Sequence, residues 1–441
     1  MIVSALLALP LALASNVGDE AMPTILSLRD RAQVMDRLLG KRLDKVVPLV
    51  MRRSGVDMWV LISREYNEDP VLETMLPATW FAARRRTILL FHDRGPEEGV
   101  ERLAVSRYDV GGLFPASWIP EEEPDQWKRL ADLIVERNPA RVGVNMSMNY
   151  GHADGLTASE QRALMRALPP EYREKMTFDE TLAVGWLETR IPEEMDLYGT
   201  ICRIAHRIIA EGFSDKAIVV GETTTADLEW WYRERIAELK LQTWFHPSVS
   251  LQRNEPEERS RSFAVEEEAK TIQRGDLLHV DFGIKYLDLN TDTQQHAYVL
   301  REGEENAPEE LRGALAVGNR LQDILTGQFK TGRSGNEILL GALQQAKEEG
   351  IDASIYTHPL GYHGHAAGPT IGMWDKQGGV PGSGDYPLYP NTVFSIELNA
   401  AVTLESWGEK RLLVMLEEDA FFDGEKVRYI DGRQTKLILI P

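Results

Sequence analysis

The feature that most constrains this chain is where acids fall in the strands of its C-terminal half. Leu277–Asp281 (LLHVD) is an apolar run that ends in a carboxylate. Glu397 interrupts Thr392–Leu398 (TVFSIEL), and Glu417, Glu418 and Asp419 sit inside Leu412–Phe422 (LLVMLEEDAFF). An unpaired carboxylate buried in such a run is costly, and a cation partner removes the cost. A strand period of two puts Glu417 and Asp419 on one face and Glu418 on the other. Asp292 follows Asp281 after a turn-rich DLNTD, so two antiparallel strands joined by that loop bring both carboxylates over one cation. Acids at strand ends are more often turn-formers than ligands, and the pair alone says little.

Imidazoles supply the second signal. Thr357–Gly372 reads THPLGYHGHAAGPTIG and holds three of the nine histidines, His358, His363 and His365, among glycines that let backbone approach closely. Imidazole is both the commonest metal ligand and the acid/base group for neutral pH. One or two of these three are expected to be hydrogen-bonded structural residues. His92, His152 and His206 are read as structural.

Length and charge narrow the classes. A chain of 441 residues is too long for one ordinary core, so two domains are expected. The formal net charge of −20 argues against nucleic acid or an anionic membrane surface, which require clustered Lys and Arg. The single cysteine, Cys202, excludes an internal disulfide and reads as a small apolar filler. The N-terminal MIVSALLALPLALAS has an apolar run too short to span a bilayer. Ala12-Leu13-Ala14 followed by Ser15 fits the small-residue cleavage pattern of a signal over 1–14, implying an exported, periplasmic or secreted protein.

Between about 25 and 180 helices alternate with short apolar strands, an α/β layer. Thr24–Leu49 has helical period, with Leu38, Leu39, Leu43 and Val46 on one face. Met58–Ile62, Arg86–Phe91, Leu103–Ser106 and Arg141–Asn145 read as strands and Asp125–Glu136 as a helix. A boundary falls in Met176–Arg190. Beyond it, Ile191-Pro192-Glu193-Glu194 starts a helix buried through Ile201, Ile204, Ile208 and Ile209, and Ala226–Leu239 is a second. Arg253–Lys270, with mixed charges and Pro256, reads as an exposed loop or lid.

Taken in order, the Asp of VDFG, the Asp of NTDT, the His of GHAAG, the Glu of SIEL and the Glu of LEED resemble one family. This is the M24 group of dinuclear metallopeptidases, which includes methionine aminopeptidase, aminopeptidase P, prolidase and creatinase. The resemblance covers about 190–441, and the part before it resembles the N-terminal domain of creatinase and aminopeptidase P. It implies an α+β, pita-bread catalytic domain (190–441) preceded by an α/β creatinase-like domain (25–180). It also implies two divalent ions held by Asp281, Asp292, His365, Glu397 and Glu417, with Glu418 as a weaker substitute for Glu417. By resemblance Asp281 chelates, Asp292 and Glu417 bridge, and His365 and Glu397 complete the pair. Oxygen-rich ligands with one imidazole suit Mn²⁺, with Co²⁺, Zn²⁺ or Fe²⁺ as alternatives.

The implied activity is an aminopeptidase or dipeptidase of Xaa-Pro type acting on short peptides. A metal-bridging hydroxide attacks the amide, Glu397 shuttles the proton and His363 is the candidate second catalytic group. A homodimer is expected from the family. Two departures stand out: SRSFAVEEEA before Asp281 carries no histidine, with His246 well upstream, and Gly372 stands where many members carry a histidine after the ligand. They keep open a non-peptidase reading, a lyase or small-molecule amidohydrolase on the same metals. A metal-free binding protein is disfavoured, because creatinase-like relatives without metals also lost the carboxylates retained here.

Overall fold

The computed structural model describes residues 21–254 and 268–441. The N-terminal apolar run and most of the Arg253–Lys270 loop lie outside them. In the first part a five-stranded sheet runs in the order Val100–Ala104, Arg86–Asp93, Met58–Arg64, Val142–Val144, Met176–Phe178. Met58–Arg64 is antiparallel to Arg86–Asp93 and parallel to Val142–Val144. Its side chains alternate as period two demands. Trp59 and Leu61 face the helix Leu28–Ser54, while Met58, Val60 and Ile62 face Gln126–Arg137 and Ala158–Ala167. Leu28–Ser54 begins at a Ser27 N-cap and stops at Gly55 in the left-handed region.

The stretch expected to be a boundary is itself folded. Met176–Phe178 is the fifth strand, and Glu180–Glu188 is a helix whose Leu182, Val184, Trp186 and Leu187 are buried against Leu28–Ser54. That apolar content is why it packs rather than links.

The second part holds three sheets of three or four strands and a two-stranded hairpin, Lys285–Tyr286 with Leu289–Asn290. Ile438–Ile440, Thr293–Val299, Leu277–Phe282 and Ser248–Gln252 form one of the three, in that order. The other two are made largely of strands that pass from one sheet to the next across a two-residue break. Asp352–Ile355 continues as His358–Leu360, Thr392–Ser395 as Leu398–Leu404, and Lys410–Leu416 as Asp419–Phe422. The breaks are Tyr356-Thr357, Ile396-Glu397 and Glu417-Glu418. Helices Pro192–Gly212 and Thr225–Glu238 pack on Leu278, Val280 and Phe282. Glu309–Thr326 and Gly335–Glu348 cover Leu398, Ala400 and Val414. Among the described residues, no helix is long and apolar enough to cross a membrane.

Candidate metal centre

The three breaks and the end of one hairpin meet at a single place. Asp281 is the fifth residue of Leu277–Phe282, paired with Gln294 on one side and Ser248 on the other. Asp292 stands just before Thr293–Val299, so the antiparallel pairing brings the two carboxylates together as the sequence implies. Gln294 and Glu417 exchange backbone hydrogen bonds of 3.0 and 3.3 Å, tying the first sheet to the third break. One hydroxyl stitches the other two breaks: Thr357 Oγ1 donates to the Glu397 carbonyl and accepts the Glu397 N–H, both at 2.9 Å.

Three ligand sets result, the atoms of each within 4.8 Å of one another: Asp281, Asp292 and Glu417; His358, Glu397 and Glu417; and Asp292, His358 and His365. Glu417 is common to the first two. Asp281 Oδ1, Asp292 Oδ1 and His358 Nε2 are buried with no hydrogen-bond partner among the described residues. With His358 Nδ1 engaged by the Pro359 carbonyl, all three orphans can turn lone pairs into one shared space, which fits a cation better than a self-sufficient polar cluster.

The electrostatics point the same way. Burial, then the charge of Glu417, raises Asp281, Asp292 and Glu397 well above the ordinary carboxylate range. His358 lies 3.5 Å from Asp292 and Glu417 and 3.8 Å from Glu397. Burial works to lower it, but Glu417 and Glu397 hold it up to about 9. Without a metal, its proton is the positive charge among four acids. Its Nδ1–H donates to the Pro359 carbonyl at 3.0 Å, which leaves Nε2 aimed at the carboxylates.

Here the geometry departs from the sequence reading. The imidazole among the carboxylates is His358, carried on the strand that pairs with Ser395. His365 is exposed and reaches only Asp292 and His358, its ring 4.7 Å from that of His358 and 5.0 Å from that of Trp244. His363 joins none of the ligand sets; its ring lies 4.4 Å from that of His152. Gly372 has φ +78°, and a Cβ there would collide with the Ile355 carbonyl, so no histidine fits.

Glu418 is turned away and engaged: it accepts from Gln295 and from the Gln434 N–H and lies 2.8 Å from His206. Glu418 and Asp431 hold His206 up to about 10 against the effect of burial. Asp419 accepts from the Asp292 N–H at 3.1 Å and from Cys202 Sγ at 3.2 Å, so Cys202 is a donor as well as a filler. His246 joins none of the ligand sets and lies beside Arg233 and Trp230.

Two supporting residues went unnoticed in the sequence. Gln294 Nε2 donates to Glu397 Oε1 at 2.5 Å and to Glu417 Oε2 at 2.7 Å, and its Oε1 meets His279 Nε2 at 2.9 Å. Ser395 Oγ donates to Glu417 Oε1 at 2.6 Å. The period-two spacing of Gln294 from Asp292 was the available signal for the first. Ser395 had none.

Residues 197–424, more than half of the chain, match metallopeptidase family M24. The chain belongs to metallopeptidase family M24. The fold agrees with that membership. X-Pro aminopeptidase from Thermotoga maritima MSB8 is 16% identical with a TM-score of 0.60, covering 89% of this chain and 99% of its own. A dipeptidase from Pyrococcus horikoshii OT3 is 20% identical with a TM-score of 0.58, covering 90% and 99%. Xaa-Pro dipeptidase from Bacillus anthracis is 15% identical with a TM-score of 0.56, covering 94% and 100%. No curated protein matches the chain. The fold of this M24 member, first part included, is therefore shared along nearly the whole length of those enzymes.

Proposed function

We propose that the chain is a dinuclear metallopeptidase that cleaves short peptides at the N-terminal side, with Xaa-Pro bonds as its preferred class. The observation that carries this is the pair of ligand sets sharing Glu417, one built on Asp281 and Asp292 and the other on His358 and Glu397. In this reading His358 takes the ligand place expected of His365. His365 then stands seven residues further on, as the missing histidine would, so the Gly372 departure no longer favours a non-peptidase reading, while the absence of a histidine in SRSFAVEEEA stands.

Two divalent ions held by Asp281, Asp292, His358, Glu397 and Glu417 would polarise a substrate carbonyl and lower the pKa of a bound water. Oxygen-rich ligands with one imidazole favour Mn²⁺. The protein's own groups do the rest. Gln294 and Ser395 fix the rotamers of Glu397 and Glu417, so the acids are in place before a cation arrives. Glu397, less deeply buried than Glu417, takes the proton from the attacking water and passes it to the leaving amine. His365, exposed at the rim, donates to the carbonyl oxygen as charge develops there.

A panel of Xaa-Pro and Xaa-Ala peptides with added Mn²⁺ tests this reading. Release of the N-terminal residue, abolished by chelation, supports it. No turnover of any peptide, with activity on small amides instead, sinks it. Export, inferred from the first 14 residues, is tested separately by the mass of the mature protein.

A further inference from the structure

The sheet that carries Asp281 has a polar stripe on the same face as that carboxylate. Strand alternation puts His279 and Asp281 of Leu277–Phe282 on one face. Pairing sets Ser250 and His296 on either side of His279, and Ser248 and Gln294 on either side of Asp281. Gln294 thus lies diagonally across from His279, and its Oε1 is 2.9 Å from His279 Nε2, both side chains being buried. His296, the other imidazole of the stripe, is spent on backbone. Its Nδ1–H donates to the Leu278 carbonyl and its Nε2 accepts the Met415 N–H, both at 3.1 Å.

Counting donors fixes the roles along the stripe. A glutamine amide has two N–H bonds to give. One goes to Glu397 Oε1 at 2.5 Å and the other to Glu417 Oε2 at 2.7 Å. The Gln294 carbonyl oxygen therefore takes its proton from His279 Nε2, and His279 Nδ1 becomes the acceptor facing the Ser250 hydroxyl at 3.4 Å. Turned over, the amide would set its oxygen against two carboxylates and its N–H against that of His279. The Gln294 backbone is equally fixed, paired with Asp281 on one side and exchanging hydrogen bonds with Glu417 on the other. The oxygens left over are Glu397 Oε2 and Glu417 Oε1, and they are the ones that face His358 Nε2, at 3.8 and 3.5 Å.

We infer that His279 is a positioning residue of the metal centre: through the Gln294 amide it presents one oxygen of Glu397 and one of Glu417 to the cation beside His358. The amide bonds also offset the repulsion between the two acids, since N–H groups donating to ionised carboxylates are among the stronger hydrogen bonds. The inference rests on the dinuclear reading for its cation, but its test reads metal binding and not turnover.

Metal-stripped protein is titrated calorimetrically with Mn²⁺. Gln294→Met, which keeps the length and loses the amide, should weaken one of the two ions about 10–100-fold, the usual cost of losing such a partner. His279→Leu should weaken the same ion by at least about ten-fold, and should add nothing in the Gln294→Met background, because it acts through the amide. His279→Gln, whose Nε2 can still donate to the Gln294 carbonyl oxygen, should recover part of the loss. Gln294→Met and His279→Gln carry the test if His279→Leu does not fold. A residue that only fills the core would lower Tm in both backgrounds alike and leave Mn²⁺ affinity unmoved. Unchanged affinity in Gln294→Met, equal losses from His279→Leu in both backgrounds, or no Mn²⁺ binding by the wild type overturns the assignment. The peptidase reading fails separately, as absence of cleavage by enzyme that has bound both ions.

Discussion

His358 and His365 differ in what each would leave behind if lost. His358 Nε2 has three carboxylates within 3.8 Å, so His358→Ala should remove one cation and with it activity. His365→Ala should retain both cations and lower kcat by about 10²–10³-fold through lost stabilisation of the carbonyl oxygen. Metal analysis alongside kinetics checks this; the reverse pattern would restore His365 to the ligand place. Glu397→Gln should cost at least about 100-fold in kcat with the fold intact. The carboxylates were legible in the sequence because burying an acid in an apolar strand is too costly without a partner to balance its charge. The imidazole was not. HPLG and HAAG each place a histidine three residues ahead of a glycine, and only strand pairing with Ser395 separates them. Gln294 escaped for another reason: a polar residue in a strand carries no signal until its partner is known.

Helices and strands were more readable than their junctions. Ile201, Ile204, Ile208 and Ile209 are buried as their spacing requires, and the helix starts at Pro192. The strand breaks at 356–357, 396–397 and 417–418 were invisible, because neither glycine nor proline marks them and strand-forming residues continue on both sides while pairing switches sheets. For the same reason the simple alternation expected for Glu417, Glu418 and Asp419 holds only loosely. Where the long first helix docks, Arg42 is wholly buried. It donates to Glu194 at 2.8 Å and to the carbonyls of Thr189 and Trp186, and lies over the rings of Trp186 and Tyr362. Arg190 also donates to Glu194. Glu194→Ala would strand two buried guanidinium groups and should destabilise the protein by about 3–5 kcal/mol. Denaturant unfolding measures it, and a loss under about 1 kcal/mol would show that the network is dispensable.

Across the whole molecule, the acidic site couples metal binding to pH. Asp281, Asp292 and Glu397 titrate above the unfolded carboxylate value near 4, as do Glu188 at about 7 and Asp419 at about 8, all raised first by burial. For groups raised on folding, stability is fully present below the unfolded pKa and is lost as pH rises through the folded values. His279 and His296, lowered by burial to about 3 and 4, act oppositely, but only below the unfolded value near 6.5. Between pH 6.5 and 8 the metal-free protein should therefore lose thermal stability. Metal-loaded protein should lose less, since bound cations hold the acids ionised. A Tm gap between the two forms that narrows with rising pH would contradict this linkage.

The most direct test is calorimetric titration of metal-stripped protein with Mn²⁺. Two bound ions per chain are expected, with Glu417→Gln impairing both because its carboxylate belongs to both ligand sets. A single site, no binding, or two sites untouched by Glu417→Gln would contradict a shared dinuclear centre.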